Sequence, residues 1–256
     1  MRMRRKAWTE PLLDSCAYLV NRPGELRGHW RERFAQPDAP LHLEIGCGKG
    51  VATVKMAHAT PDVNYVAIDE VRHVLAVTIK NAMAEYGEDE VKNLTLSAVD
   101  AMFITDCFSP EDGISRIYIQ FPNPWNEKAK QHKRRLTHPR QLMQYRSFLA
   151  PGGEIHFKTD DPTLFMATKR YMAMSGFEIT YLTDDLHASG YAPNYESEHE
   201  LMYSAKGMPI HFMIAKMVDL PEDFVYEVDC HRIDQVERGV EIRTENRRAK
   251  HEEANA

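Results

Sequence analysis

Residues 121–138 read FPNPWNEKAKQHKRRLTH, a proline-bracketed turn that runs straight into a cationic stretch. From Asn126 to Arg146 there are seven Lys or Arg and one Glu, in a chain of formal net charge -6. Positive charge concentrated in one place on an acidic protein suits a polyanionic partner, with Lys128, Lys130, Lys133, Arg134 and Arg135 as the residues to hold its phosphates. A second set lies upstream, in Glu44-Ile45-Gly46-Cys47-Gly48-Lys49-Gly50. Glycines at such a turn let the backbone approach a ligand closely. Asp69 follows nineteen residues after Gly50, where a carboxylate can accept hydrogen bonds from both ribose hydroxyls of a nucleoside. Asp100 ends a further apolar run, placed to meet an adenine edge. Either Asp alone reads equally well as a helix N-cap. The glycine turn and both acids together favour a nucleoside cofactor. The spacing is GxGxG, with Val51 where the dinucleotide fingerprint wants glycine, which argues against a nicotinamide-dependent oxidoreductase.

These residues need a scaffold that brings strand ends together. Strand patterns occur at 41–46, 64–69, 94–100, 114–121, 153–160, 177–183 and 209–217, and helical patterns near 50–59, 72–86, 139–149 and 162–175. Strands alternating with helices imply an α/β fold with a mostly parallel sheet covered on both faces. Glu44, Asp69, Asp100 and the 121–138 segment then all fall at carboxyl ends of strands. The last two strands are joined by GYAPNYESEHELMYSAKG, which reads as loop. A closing hairpin-like pair, with the last strand antiparallel, fits that. The methionines at 166–174 read as helix core.

The chain of 256 residues suits one large domain with appendages, and 43% hydrophobic residues suffice for a real core. Its expected division is a basic N-terminal arm (1–40), one domain (41–217) and an acidic extension (218–256). The arm's Arg2, Arg4, Arg5 and Lys6 read either as phosphate contacts or as a solvated terminus. The extension holds eleven Asp or Glu against six Lys or Arg, so the body is close to neutral; it reads as partly helical or disordered. Four scattered cysteines without a CxxC pair suit a reducing, cytoplasmic setting and give no zinc motif. His132, His138, His156, His199 and His211 show no metal-ligand spacing, so no metal is expected. No signal peptide or membrane span is expected either.

The 121–138 segment resembles the signature of bacterial tRNA (guanine-N7-)-methyltransferases, F-x-D-P-W-P-K-K-R-H-x-K-R-R-L. The resemblance continues, in order, at RMRRKAW (2–8), LEIGCGKG (43–50), IHFKTD (155–160), SEHE (197–200) and GMPIHF (207–212). It implies a class I S-adenosylmethionine-dependent methyltransferase with a Rossmann-like, seven-stranded sheet and an antiparallel last strand. It further implies transfer of a methyl group to N7 of the variable-loop guanosine of tRNA, conventional position 46. By that resemblance Glu44, Gly46, Gly48, Asp69, Asp100 and Asn123 would hold S-adenosyl-L-methionine. Lys128, Asp160, Ser197, Glu198, His199 and Glu200 would contact the guanosine or its RNA, in a monomer or homodimer.

Asn123 stands where the family pattern has Asp, the catalytic position. One residue more than in the pattern follows Trp125, so the lysine equivalence is offset. Guanine N7 carries a free lone pair and needs no proton removed before it attacks. The protein must orient the base, and positioning can supply much of the acceleration. An Asn carbonyl accepts a hydrogen bond as Asp does, but a charge-assisted bond is roughly twice as strong. Slower methyl transfer, a silent RNA-binding homologue and a methyltransferase of another substrate therefore stand as alternatives. Trp125 reads as a base-stacking ring or as a packed anchor beside Phe121.

Overall fold

The computed structural model describes residues 6–222 and Phe224. Arg2, Arg4, Arg5 and nearly all of the acidic extension lie outside the described residues. In chain order the elements are α1 (Thr9–Ser15), β1 (Leu19–Val20), β2 (Leu41–Ile45), α2 (Val51–Ala59), β3 (Asn64–Asp69), α3 (Arg72–Tyr86), β4 (Leu94–Ala98), β5 (Ile114–Gln120), α4 (Pro139–Arg146), β6 (Leu149–Thr159), α5 (Pro162–Met174), β7 (Phe177–Thr183), α6 (Glu198–Ser204) and β8 (His211–Met217). The sheet runs β1-β4-β3-β2-β5-β6-β8-β7. Every pairing is parallel except those of β8, which is antiparallel to both β6 and β7. The expected Rossmann-like order is present, with an eighth strand added at the edge: Leu19 and Val20 pair with Leu96 and Ser97. No helix among the described residues is long and apolar enough to cross a membrane.

Chain order explains where a ligand can sit. From β2 the chain builds outward through β3 to β4, then returns to lay β5 on the other side of β2. Connections leave β2 and β5 in opposite directions, which opens a crevice at their carboxyl ends.

Strand alternation divides the side chains into two layers. Leu43, Ile45, Ile117, Ile119, Ile155 and Phe157 face a core shared with Leu142 and Tyr145 of α4 and Leu164 and Phe165 of α5. The opposite face differs across its width. Over β3 and β4, Ala67 and Leu96 pack against Val54 of α2 and Leu75 and Ile79 of α3. Over β5 and β6 the same face carries Arg116, Tyr118, Gln120, His156 and Lys158, and the 191–195 connection covers them instead of a long helix. A polar sheet face is stable here because its groups bond to one another and to Glu44 and Glu154 of the sheet, while Lys158 bonds to that connection.

Residues 23–40 are built into the domain. Trp30 is fully buried, stacks on Phe108 at 5.1 Å and donates its indole N–H to the Cys107 carbonyl at 2.8 Å. The buried Asp112 carboxylate accepts from the backbone N–H groups of Gly28, Trp30 and Ser109. Two sequence expectations change. The connection between β7 and β8 contains the short α6, inconspicuous because it is seven residues long and mostly polar. Of the α5 methionines, Met172 is core but Met166 and Met174 are exposed; the buried stripe runs through Leu164, Phe165, Thr168, Tyr171 and Met172, and the helical period turns the other two outward.

Candidate active site

The crevice at the β2–β5 junction is a cavity of about 590 Å³ lined by Gly46, Asp69, Asp100, Asn123, Trp125 and Arg134, among others. Its floor is set by backbone chemistry. Gly46 and Cys47 both donate their N–H to the Ile68 carbonyl, at 2.8 and 3.0 Å, which folds the glycine turn onto the end of β3. Gly50, at φ 68°, leads into α2; a Cβ there would lie 2.2 Å from the Thr78 methyl, so glycine is required twice over.

Asp69 does two jobs at once. Its oxygens accept from Gly48 N–H at 2.9 Å and Val71 N–H at 2.8 Å, and it still lines the cavity. Burial raises its pKa, and those two hydrogen bonds oppose the rise. Each carboxylate oxygen keeps a second lone pair for a ligand. Asp100, exposed at the rim, accepts from Met102 N–H at 2.9 Å as the cap of a 3₁₀ turn. Capping and cavity-lining, alternatives in the sequence, coexist at Asp100; Asp69 shapes the turn before α3, whose N-cap is Val71, without capping that helix.

The far wall is the 121–125 turn. Phe121 (φ 50°) and Trp125 (φ 49°) are non-glycine residues in the left-handed region, and such strain persists only where surrounding structure over-determines it. Asn123 is exposed between them, and its side-chain carbonyl accepts from Trp125 N–H at 3.0 Å. One lone pair is thereby used to shape the turn; the other and the NH₂ group face outward. Trp125 is covered by Arg134, whose guanidinium carbon lies 5.0 Å from the ring centroid.

Glu44 is not part of this wall. It points to the opposite sheet face, is 3% exposed, and accepts from the Thr53 hydroxyl and from Gln120 Nε2, the latter at 3.0 Å. Burial pushes its pKa up to about 7 against the pull of those donors. Gly48 likewise serves the turn through Asp69 without lining the cavity.

Of the cationic run, Lys128, Lys130 and Lys133 are exposed, and Arg134 shares its face with Trp125. Arg135 is a correction. It is 1% exposed and donates to the Pro124 carbonyl, the Tyr171 hydroxyl and Asn126 Oδ1 at 2.8–3.0 Å. It ties the turn to α5 and cannot reach an RNA phosphate. The 3₁₀ turn Ala129–Arg134 rotates successive residues, so one member of the run faces inward.

The 197–200 segment sits beside the same wall. Ser197 caps α6 by accepting Glu200 N–H at 3.2 Å. Glu198 pairs at 2.7 Å with Lys49 of the glycine turn, and the His199 ring stacks on Phe121 at 6.3 Å. Glu200 is the second correction. It is fully buried, bonded to Lys158 Nζ at 3.1 Å and to Asn194 Nδ2 at 2.7 Å, so its carboxylate organises the segment from within. Lys158, missed in the sequence, also donates to Asn194 Oδ1 at 2.5 Å and the Tyr195 carbonyl at 3.3 Å. Glu154, His156 and Lys158 alternate with Ile155 and Phe157 along β6, and that polar alternation inside a strand is the signal that could have found it. Asp160, two residues on, is half-buried at the end of β6.

A family profile described as "Putative methyltransferase" matches residues 38–213. A tRNA (guanine-N(7)-)-methyltransferase of Clostridium perfringens (strain SM101) is 46% identical over 218 residues, covering 84% of this chain and 99% of that one. One of Acetivibrio thermocellus is also 46% identical, with the same coverage. Among solved structures, a 16S rRNA methyltransferase, KamB, aligns with a TM-score of 0.52 at 13% identity over 74% of this chain and 91% of that one. An antibiotic-related methyltransferase gives 0.51 at 17% identity, over 73% and 89%. These structures share the fold. With a cavity at the switch point lined by Asp69 and Asp100 and relatives matched nearly end to end, the chain belongs to the tRNA (guanine-N(7)-)-methyltransferase family.

Proposed function

We propose that this protein transfers the methyl group of S-adenosyl-L-methionine to N7 of the variable-loop guanosine in tRNA. The observation that carries the reading is one juxtaposition. The cavity bounded by Gly46, Asp69, Asp100 and Asn123 shares its Phe121–Trp125 wall with both the cationic run and the 197–200 segment.

The residues present fit the cofactor. A volume of about 590 Å³ falls within the ~300–1,000 Å³ usual for small-molecule sites. Asp69 retains lone pairs for ribose hydroxyls, Asp100 reaches an adenine edge, and the glycine turn leaves room for close approach. When bound, the sulfonium compound supplies an electrophilic methyl group. The protein's own residues then have to hold guanine N7 toward it. No base is needed at N7, because its lone pair is already free. Asn123 orients the purine through its remaining lone pair and its NH₂ group, Asp160 and the α6 N-terminus flank the base, and Lys128, Lys130, Lys133 and Arg134 hold phosphates. An exposed guanosine in a loop or splayed from its stack is the form such a site can read. A tRNA substrate makes the cytoplasm the place of action.

The test is methyl transfer from labelled S-adenosylmethionine to unmodified tRNA carrying guanosine or adenosine at the variable-loop site. Label recovered as 7-methylguanosine with guanosine only is the expected result. Tight binding of both cofactor and tRNA without transfer would favour the silent RNA-binding reading. Label on a different acceptor would point to another substrate.

A further inference from the structure

The α6 end of the polar sheet face carries a group of side chains that lies outside the lining of the cavity. His187 comes from the connection after β7, Glu196 from the stretch before α6, and Glu200 from α6 itself. One ligand atom from each lies within 4.8 Å of the other two. His187 Nε2 is 3.1 Å from Glu200 Oε1 and 3.8 Å from Glu196 Oε1. A tetrahedral zinc ion with bonds of ~2.0–2.2 Å sets its ligand atoms roughly 3.4 Å apart. The two observed edges bracket that value, so small rotamer changes at the half-exposed His187 and Glu196 would close the site.

We propose that His187, Glu196 and Glu200 bind a divalent transition-metal ion of the zinc class. One imidazole nitrogen and two carboxylate oxygens suit zinc better than magnesium or calcium, which favour all-oxygen sites. The anchor is already held in place. Glu200 is fully buried, and its Oε1 accepts from Asn194 Nδ2 while its Oε2 accepts from Lys158. Metal-ligating carboxylates are characteristically fixed by such outer hydrogen bonds. The Ser204 hydroxyl, 3.1 Å from His187 Nε2, is placed to hold a water in the fourth position. The Lys158 ammonium on the far oxygen weakens the ion's attraction and sets the affinity below that of an all-protein structural site. A bound ion would join the connection after β7 to α6.

The full-length protein, stripped of metal with chelator, is titrated with cobalt(II) and followed by visible absorption; zinc affinity is then read by competition with a chromophoric chelator. Expected is one equivalent with d–d bands of a nitrogen–oxygen site and no thiolate charge-transfer band, lost in both His187→Ala and Glu196→Gln. Zinc should also raise the thermal midpoint of the parent by several degrees and leave both variants unmoved. Either variant retaining the full equivalent, a thiolate spectrum, or no binding at micromolar metal overturns the proposal. Far-ultraviolet circular dichroism of both variants, each altered at a half-exposed position, checks that they remain folded.

Discussion

Lys158→Met tests how the 194–200 segment is held. The ammonium has three N–H donors and meets three acceptors: Asn194 Oδ1 at 2.5 Å, Glu200 Oε2 at 3.1 Å and the Tyr195 carbonyl at 3.3 Å. Lys158 is 8% exposed and Glu200 0%, so solvent screening does not discount the pair. Burial lowers the lysine's pKa, and the Glu200 carboxylate opposes that shift. Met fills a similar volume without the charge and leaves Glu200 buried with no cation bonded to it except His187 when protonated. Removing one partner of a buried ion pair costs about 3–5 kcal/mol. At ~2–4 °C per kcal/mol for a domain of this size, the midpoint should fall by roughly 6–20 °C. Added salt should change the loss little, since buried pairs are poorly screened. Lys158→Met with Glu200→Gln removes both charges and should recover at least half of the stability. In activity assays below the melting range, Lys158→Met should raise KM for tRNA more than KM for the cofactor. A single variant destabilised by less than ~1 kcal/mol, or a double variant no better than the single, would refute the argument that this pair anchors the segment.

Glu44 gives a pH test with a defined sign. Its folded pKa of about 7 lies above the ordinary carboxylate value, so the folded state holds a proton that the unfolded state releases as pH rises from ~4.5 to ~7. Stability should therefore fall across that window by about 3 kcal/mol, and urea melts of Glu44→Gln should lack that fall. Lys133→Glu should weaken tRNA binding and lower its salt slope by about 1, with an unchanged melt, whereas Arg135→Glu should destabilise the fold by about 3 kcal/mol or more through a buried, mispaired charge; paired filter-binding and melting curves separate the two. Asn123→Asp should raise the rate of methyl transfer in single-turnover assays, because a charged acceptor strengthens the hydrogen bond to the base.

The sheet was legible because its strands are apolar or alternating runs, with Glu44, Asp69 and Asp100 at or beside the ends of the first three expected ones, and each of the seven expected strands is found. β1 escaped notice because two residues, Leu19 and Val20, carry no periodicity. α6 escaped because it holds its place through the Ser197 cap and Glu200, with little apolar stripe to reveal it. At the site, Gly46, Asp69 and Asp100 were readable from their places at strand ends and Asn123 from the family resemblance, and all four meet at one cavity. Arg135 and Glu200 were not, because charge in a sequence does not tell which way a residue faces. That is decided by tertiary partners such as the Tyr171 hydroxyl and Lys158 Nζ, which lie 36 and 42 residues away.

The docking of Trp30 and Asp112 also orders events in time. The bonds that seat residues 28–30 reach forward 77 to 84 residues along the chain, and among the described residues β1 pairs with β4 alone. During synthesis residues 28–30 therefore emerge early yet lack their seat until Cys107 and Asp112 follow. At ~5–20 residues per second that interval is about 4–17 s. Residues 28–30 are thus locked well after they are made, with the Trp30 indole exposed to chaperones or to another chain throughout the wait.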